Sequence, residues 1–164
     1  MERLFRQRME YLTGPDDAEC FLCRSASSSD DETNLVLHRE GSCMAVLNRY
    51  PYNTGHVMVS PLRHVGEIEA LTRQELTEIM DLCLKGVAAL RAAFSPEGFN
   101  MGANLGRVAG AGVPGHLHMH LVPRWEGDTN FMPVVAGSKV LPETLEETYR
   151  RLRPYFSDVT HAEP

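Results

Sequence analysis

The sequence predicts an α+β fold: an antiparallel sheet of about five strands packed by one long helix, with a further helix toward the C-terminal end. Three observations predict it. Residues 72–94 repeat apolar side chains at helical spacing. Five short runs, at 35–39, 43–48, 56–61, 99–106 and 116–125, carry strand-like composition. Their order is mixed, with no internal repeat and no linker, which suits a sheet with helices on it. The 164 residues fit one domain with a core of its own.

In chain order, residues 2–12 read as a short amphipathic helix, with Leu4, Phe5, Met9 and Leu12 on its apolar side. GPDDAECFLC follows, a turn-rich segment holding Cys20 and Cys23, so a helix and a cysteine knuckle occupy 1–24. SASSSDDE at 25–32 is small, polar and acidic, and is expected to be a mobile loop. The strands LVLHR, CMAVLN and HVMVSP come next, with Pro51, Asn53 and Gly55 breaking the chain between the last two. These begin a core over 33–135. Thr72 and Glu75 form a capping-box pattern at the start of the long helix. Leu76, Ile79, Met80, Cys83, Val87 and Leu90 follow, and Pro96 and Gly98 close it. FNMGANLG reads as the fourth strand and HLHMHLVPRW as the fifth, with the glycine-rich RVAGAGVPG between them. Pro142 can open a last helix over 142–156, with Leu145, Tyr149 and Leu152 inward.

Composition bounds the function. A content of 43% apolar and 23% charged residues is that of a globular domain. No apolar run approaches the ~18 residues that span a bilayer, and the N-terminus lacks a secretory signal pattern, so a cytoplasmic location is expected. The net charge of −6 argues against a nucleic-acid coat or a membrane-surface protein. A locally basic pocket for a small polyanion stays open. Cys43 and Cys83 sit in apolar stretches and are expected to be buried thiols.

GHLHMHLVPRW is the most informative segment. His116, His118 and His120 alternate with Leu117, Met119 and Leu121, so three imidazoles share one strand face and three apolar side chains pack behind. A surface histidine ladder or a three-imidazole metal site are the alternatives. The preceding loop favours phosphate chemistry: Gly106, Gly110, Gly112 and Gly115 let backbone N–H groups approach an anion closely.

The run His116-Leu117-His118-Met119-His120-Leu121-Val122 resembles the motif of the histidine triad (HIT) family. LNRYPYNTGHVMVSPLRHV at 47–65 resembles the strand–loop–strand of that family's nucleoside pocket, and the similarity covers roughly 20–155. PRWEGDTNF at 123–131 and GSKVLP at 137–142 further resemble its bacterial diadenosine tetraphosphate phosphorylases.

The resemblance implies roles. His118 is the expected nucleophile; a neutral imidazole is both unprotonated and nucleophilic near pH 7. His120 and His56 would contact the phosphates or protonate the leaving oxygen. Asn48 would bond the ribose hydroxyls. Asn104 and the backbone from Gly110 to Gly115, with Gly112 and Gly115 foremost, would hold phosphate. Trp125 could stack on a base or simply pack, and Lys139 could hold inorganic phosphate or be solvated. By the same resemblance Cys20, Cys23, His64 and His116 would ligate one structural zinc, against a redox role for the cysteine pair. The long helix would pair two copies into a homodimer. The expected reaction is phosphorolysis of diadenosine tetraphosphate to ADP and ATP. Hydrolysis, phosphoramidase activity and a non-catalytic nucleotide-binding module are the competing readings.

Overall fold

The computed structural model describes residues 20–128 and 142–158. The expected helix at 2–12 lies outside them, as does Lys139. The elements run α1 (Phe21–Ser27), α2 (Asp31–Asn34), β1 (Val36–Glu40), β2 (Cys43–Leu47), β3 (Val57–Pro61), α3 (Arg73–Phe94), β4 (Gly98–Gly102), β5 (Met119–Arg124) and α4 (Leu145–Asp158). The strands form one sheet in the order β1-β2-β3-β5-β4, antiparallel at every junction. The α+β expectation holds. Among the described residues no helix is long and apolar enough to cross a membrane.

The main core lies between one sheet face and the helices α3 and α4. Ala45, Leu47, Val57, Val59 and Leu121 of the sheet meet Ile79, Leu82, Cys83 and Leu90 of α3 and Tyr149, Leu152 and Phe156 of α4. On the opposite face Val36, Met44, Val46 and Met58 pack with Leu22 of α1. Helix α3 lies so close to β5 that a Cβ on Gly86 would meet the Leu121 Cδ1 at 2.7 Å. A side chain at 86 would have to displace that methyl, and the glycine lets the helix sit directly behind the histidine strand. Cys43 and Cys83 are fully buried, and burial pushes the Cys83 thiol up to about 12, so both stay protonated packing groups.

Several local expectations are corrected. Residues 25–32 are not a loop throughout. Leu22 is buried and anchors α1, and Arg39 satisfies the polar backbone around it. Its guanidinium donates to the carbonyls of Ser25 (2.6 Å), Ala26 (2.9 Å) and Ser28 (3.0 Å) and to Asp31 (2.8 Å). Strand β4 stops at Gly102 rather than running to 106. The ladder of β5 starts at Met119, not at 116: Pro61 has no N–H to continue it, and the Leu117 N–H turns to the Val65 carbonyl at 2.7 Å. Helix α4 starts at Leu145, capped by a reciprocal Thr144–Glu147 pair (3.2 and 2.8 Å), so Pro142 precedes its first turn without opening it. On α3, Leu76 and Met80 face outward with Leu84, because the buried stripe runs through Ile79, Leu82, Cys83 and Gly86.

The capping box at Thr72 forms as the sequence indicates. The Thr72 hydroxyl accepts the Glu75 N–H at 3.2 Å, and the Glu75 carboxylate accepts the Thr72 N–H at 2.7 Å. Arg63 clamps the same carboxylate at 2.5 and 2.9 Å. That guanidinium, aided by Thr72, holds the Glu75 carboxyl down to about 2. A folded-state value depressed below the unfolded value contributes stability in full above about pH 4.3, lost as pH falls toward the folded value. Glu75→Gln is therefore expected to lower the melting temperature at neutral pH, with the gap closing as the solution is acidified. Thr72→Ala should cost about 0.5–2 kcal/mol. Thermal melts across a pH series check both, and a pH-independent gap for the glutamine variant would contradict the assignment.

Candidate active site

The site gathers at the β3 and β5 ends of the sheet and the loops beside them. Its first cavity, about 310 Å³, is lined by Phe21, Tyr50, Tyr52 and Met58 together with Asn104, Gly110, Gly112, His118 and His120. That size lies at the lower end of ligand clefts, roughly 300–1,000 Å³. Asn48 lines it too, with its Oδ1 accepting the Tyr50 N–H at 2.9 Å. Among the described residues no carboxylate lines it, although the chain is acidic overall; Arg24 and Arg49 stand at its edge instead. A second cavity adjoins it through Tyr52, Asn104 and His120, and runs on to Asn100 and Arg124.

The three histidines of the motif do three different things. His116 is fully buried, and its Nε2–H donates to the Pro61 carbonyl at 2.8 Å, which leaves Nδ1 as a ligand atom. His118 is buried, and its Nδ1–H donates to the His116 carbonyl at 2.8 Å. That bond leaves the Nε2 lone pair of His118 for the cavity. Burial pushes the His118 imidazolium toward its neutral form, the state a nucleophile needs. His120, half-buried, stands between the two cavities.

Hydrogen bonding fixes the remaining tautomers. The Tyr52 backbone N–H can only donate, and it points at His56 Nδ1 at 3.1 Å. His56 therefore accepts at Nδ1 and carries its proton at Nε2. His56 Nε2 lies 2.9 Å from His120 Nδ1, so His120 accepts there and carries its own proton at Nε2. The Asn48 amide nitrogen stands 3.5 Å from His56 Nε2, at the outer limit of a hydrogen bond, and the 3.1 Å contact from the Tyr52 N–H sets the tautomer instead. The pair thus presents a donor at His120 beside a nucleophilic nitrogen at His118, whose ring lies 4.9 Å away centroid to centroid.

A second cluster lies behind His118. Cys20 and Cys23, bracketing the first turn of α1, converge with His64 and His116, and all four ligand atoms fall within 4.8 Å of one another. Cys20 Sγ stands 3.3 Å from His116 Nδ1, Cys23 Sγ 3.4 Å from the same nitrogen, and Cys23 Sγ 3.1 Å from His64 Nδ1. A tetrahedral zinc site has an S···N edge of about 3.5 Å. Two thiols and two imidazoles at that spacing are compatible with zinc. The His116 Nε2–H bond to Pro61 is the kind of outer contact that orients a metal-bound imidazole.

Placement of the other expected residues is mixed. His56, Asn48, Asn104 and Gly112 come together with His118 and His120 around the first cavity. The Asn104 amide donates to the Gly110 carbonyl at 3.2 Å and so joins the β4 end to the glycine loop. Gly115 is not in the cavity wall; it lies against His64, whose Nε2 a Cβ there would meet at 3.1 Å. Its lack of a side chain makes room for the cysteine–histidine cluster. Trp125 borders neither cavity, and its N–H donates to Asp128 in a tight turn at 3.1 Å. Sequence reasoning does not reach Phe21, Arg24 and Tyr52. The first two occupy positions within and just after C-x-x-C, and a knuckle that must reach His116 also carries its neighbours to the cavity.

Similarity to known proteins agrees with this geometry. The HIT domain family profile matches residues 29–127. The AP-4-A phosphorylase of Mycobacterium tuberculosis is 48% identical over 122 residues, which cover 74% of this chain and 63% of that protein. The asymmetrical bis(5'-nucleosyl)-tetraphosphatase of Schizosaccharomyces pombe is 36% identical over 93 residues, 57% of this chain and 50% of that one. The chain thus spans between half and two thirds of the length of these two relatives. In fold it matches the crystal structure of a zinc-bound histidine triad family protein from Mycobacterium smegmatis, with a TM-score of 0.67 at 22% identity, covering 85% of this chain and 94% of that one. With the profile matched across well over half of the chain and the histidine row at the centre of the site, this chain belongs to the HIT domain family.

Proposed function

We propose that this protein transfers a nucleotidyl group from a dinucleoside polyphosphate through a covalent intermediate on His118. The carrying observation is the pinning of the His118 Nδ1–H on the His116 carbonyl at 2.8 Å, with Nε2 left for the cavity. In the first step His118 Nε2 forms a bond to the α-phosphorus, and the bond from that phosphorus to the bridging oxygen breaks. His120 gives its Nε2 proton to the departing oxygen. In the second step an acceptor oxygen attacks the same phosphorus, the P–N bond breaks, and a proton returns to His120. With inorganic phosphate as acceptor, diadenosine tetraphosphate yields ATP from the first step and ADP from the second. Asn104 and the Gly110–Gly112 backbone border the space where the phosphates would lie. Asn48, Tyr50 and Phe21 border the nucleoside end, and Lys139 is assigned to the acceptor phosphate by sequence resemblance alone.

The 48% identity to a phosphorylase favours phosphate over water as acceptor. Turnover of diadenosine tetraphosphate is expected to rise saturably with inorganic phosphate, with ADP and ATP as products. Product analysis across a phosphate titration tests this. AMP and ATP at a rate indifferent to phosphate would identify a hydrolase and leave the covalent step intact.

The same reading includes one structural Zn²⁺ on Cys20, Cys23, His64 and His116. Bound there, the ion would neutralise the thiolates and tie α1 to the strand that bears His118. Two reduced thiols as ligands suit the cytoplasm. A homodimer is part of the proposal as well. The outward row of Leu76, Met80 and Leu84 on α3, at 42%, 42% and 55% exposure, supports it as a face for a second copy.

A further inference from the structure

The PRWEGD turn that follows the histidine strand is densely bonded. Asp128 accepts from Arg124 at 2.6 and 2.7 Å, from the Trp125 N–H at 3.1 Å, and from the Asn53 side-chain amide at 2.8 Å. Arg124 in turn donates to Asn100 on β4 at 2.6 Å. Asn53, only 4% exposed, spends its second amide hydrogen on the Pro123 carbonyl at 2.8 Å. It sits in the loop between β2 and β3, and its own carbonyl accepts the His56 N–H at 3.2 Å. Tyr52, the preceding residue, supplies the N–H that fixes His56, and its ring stacks on the same imidazole with centroids 4.8 Å apart.

We propose that Asp128 is a positioning residue for proton donation by His120, acting through Asn53 and the Tyr52 backbone N–H. The direction of each hydrogen bond carries the inference. An ionised carboxylate only accepts hydrogen bonds, so it holds the Asn53 amide with its nitrogen toward the turn. With the side chain locked between Asp128 and Pro123, the Asn53 backbone keeps the loop folded over His56. The Tyr52 N–H then stays on His56 Nδ1, His56 keeps its proton on Nε2, and His120 keeps its own on the cavity side. Without the clamp, His56 Nδ1 is released to carry the proton itself. His56 Nε2 can then accept from His120 Nδ1, and the cavity-facing nitrogen of His120 becomes a lone pair that cannot protonate a leaving group. The contact between Asp128 and Asn53 spans 75 residues of sequence, so the device exists only in the folded chain.

This rests on the reading of His120 as the proton donor, and the test separates the two. Asp128→Ala and Asn53→Ala, each purified as the full chain, are assayed on two adenylyl substrates. Adenosine 5′-phosphoramidate must have its leaving nitrogen protonated. The p-nitrophenyl ester of AMP expels a phenolate that needs no proton. Both variants are expected to lose kcat on the amidate by at least about tenfold more than on the ester, a loss within the range of general acid catalysis. Combining the two substitutions should add little to either alone, because they break one linkage. Isotope-edited histidine NMR supplies the second readout. The parent should show His120 protonated at Nε2, and the variants a mixture of tautomers. Equal losses on both substrates with the parent tautomers retained would overturn the proposal. If the parent itself turned over neither substrate, the transfer reading would fall, and the tautomer spectra alone would decide the clamp. Should Asp128→Ala not fold, Asn53→Ala carries the same pair of measurements.

Discussion

His118→Ala is expected to slow nucleotidyl transfer by three or more powers of ten, roughly, while nucleotide binding persists. The magnitude follows from what is removed. Among the described residues, His118 Nε2 is the one nucleophilic nitrogen directed to the first cavity by a fixed Nδ1–H, and no other side chain in that wall combines a lone pair with the same placement. Asn48, Tyr50, Phe21 and Asn104 remain to hold the ligand, so affinity should change far less than rate. Two measurements check this. Rapid-quench assays should show a nucleotidyl-protein in the parent and none in the variant, and calorimetry with a non-cleavable nucleotide should give similar dissociation constants. A variant keeping more than about a tenth of the parent rate would contradict the assignment. His118→Gly with added imidazole is a stricter form of the same experiment, since the free ring restores the lost nucleophile without the lost backbone bond.

The second large effect concerns the cysteine–histidine cluster. Protein purified without chelator is expected to carry about one zinc per chain, and Cys20→Ser to lose metal and thermal stability together. Structural zinc sites carry apparent binding free energies of about 10–16 kcal/mol in small peptides, part of which becomes folding stability. Here the loss should spread to catalysis. Helix α1 holds Phe21 and Arg24 at the cavity, and Cys20 and Cys23 are its tie to His116. Elemental analysis alongside thermal melts checks the coupling. Metal-free protein with an unchanged melting temperature would remove zinc from the account.

The sequence makes some of this legible and hides the rest for identifiable reasons. The histidine row can be read because alternation along a strand is a local rule, and His116, His118 and His120 obey it even though the ladder itself begins at Met119. C-x-x-C alone reads as half of a metal site, and His64 and His116 join it only through the family resemblance, because nothing local links residues 41 and 93 positions further along the chain. The capping box at Thr72 and Glu75 is local and legible whole. The short helices of 21–34 are not, because their order depends on Arg39, whose guanidinium reaches back across the chain to three carbonyls. The outward turn of Leu76 and Met80 is hidden for a related reason. Apolar residues on a helix announce a stripe, and only the sheet behind α3 decides which stripe is covered. The Asn53–Asp128 linkage carries no local pattern at all; each residue alone reads as a turn former.

The register of β5 against β3 has a consequence for how tightly this site constrains its own strand pairing. Val59 lies opposite Met119 and Met58 opposite His120. A slip by one residue would turn all three imidazoles into the core and bring Leu117, Met119 and Leu121 to the cavity. A slip by two preserves the apolar pattern, so packing alone resists it weakly. Yet each histidine would then take over its neighbour's place, the proposed ligand moving to the place of the proposed nucleophile and that one to the place of the proposed donor. The strand works like a key with equally spaced teeth, for which the spacing cannot tell one seating from the next. What tells them apart is the stop at its end, where Pro61 offers no N–H and its carbonyl receives the His116 ring.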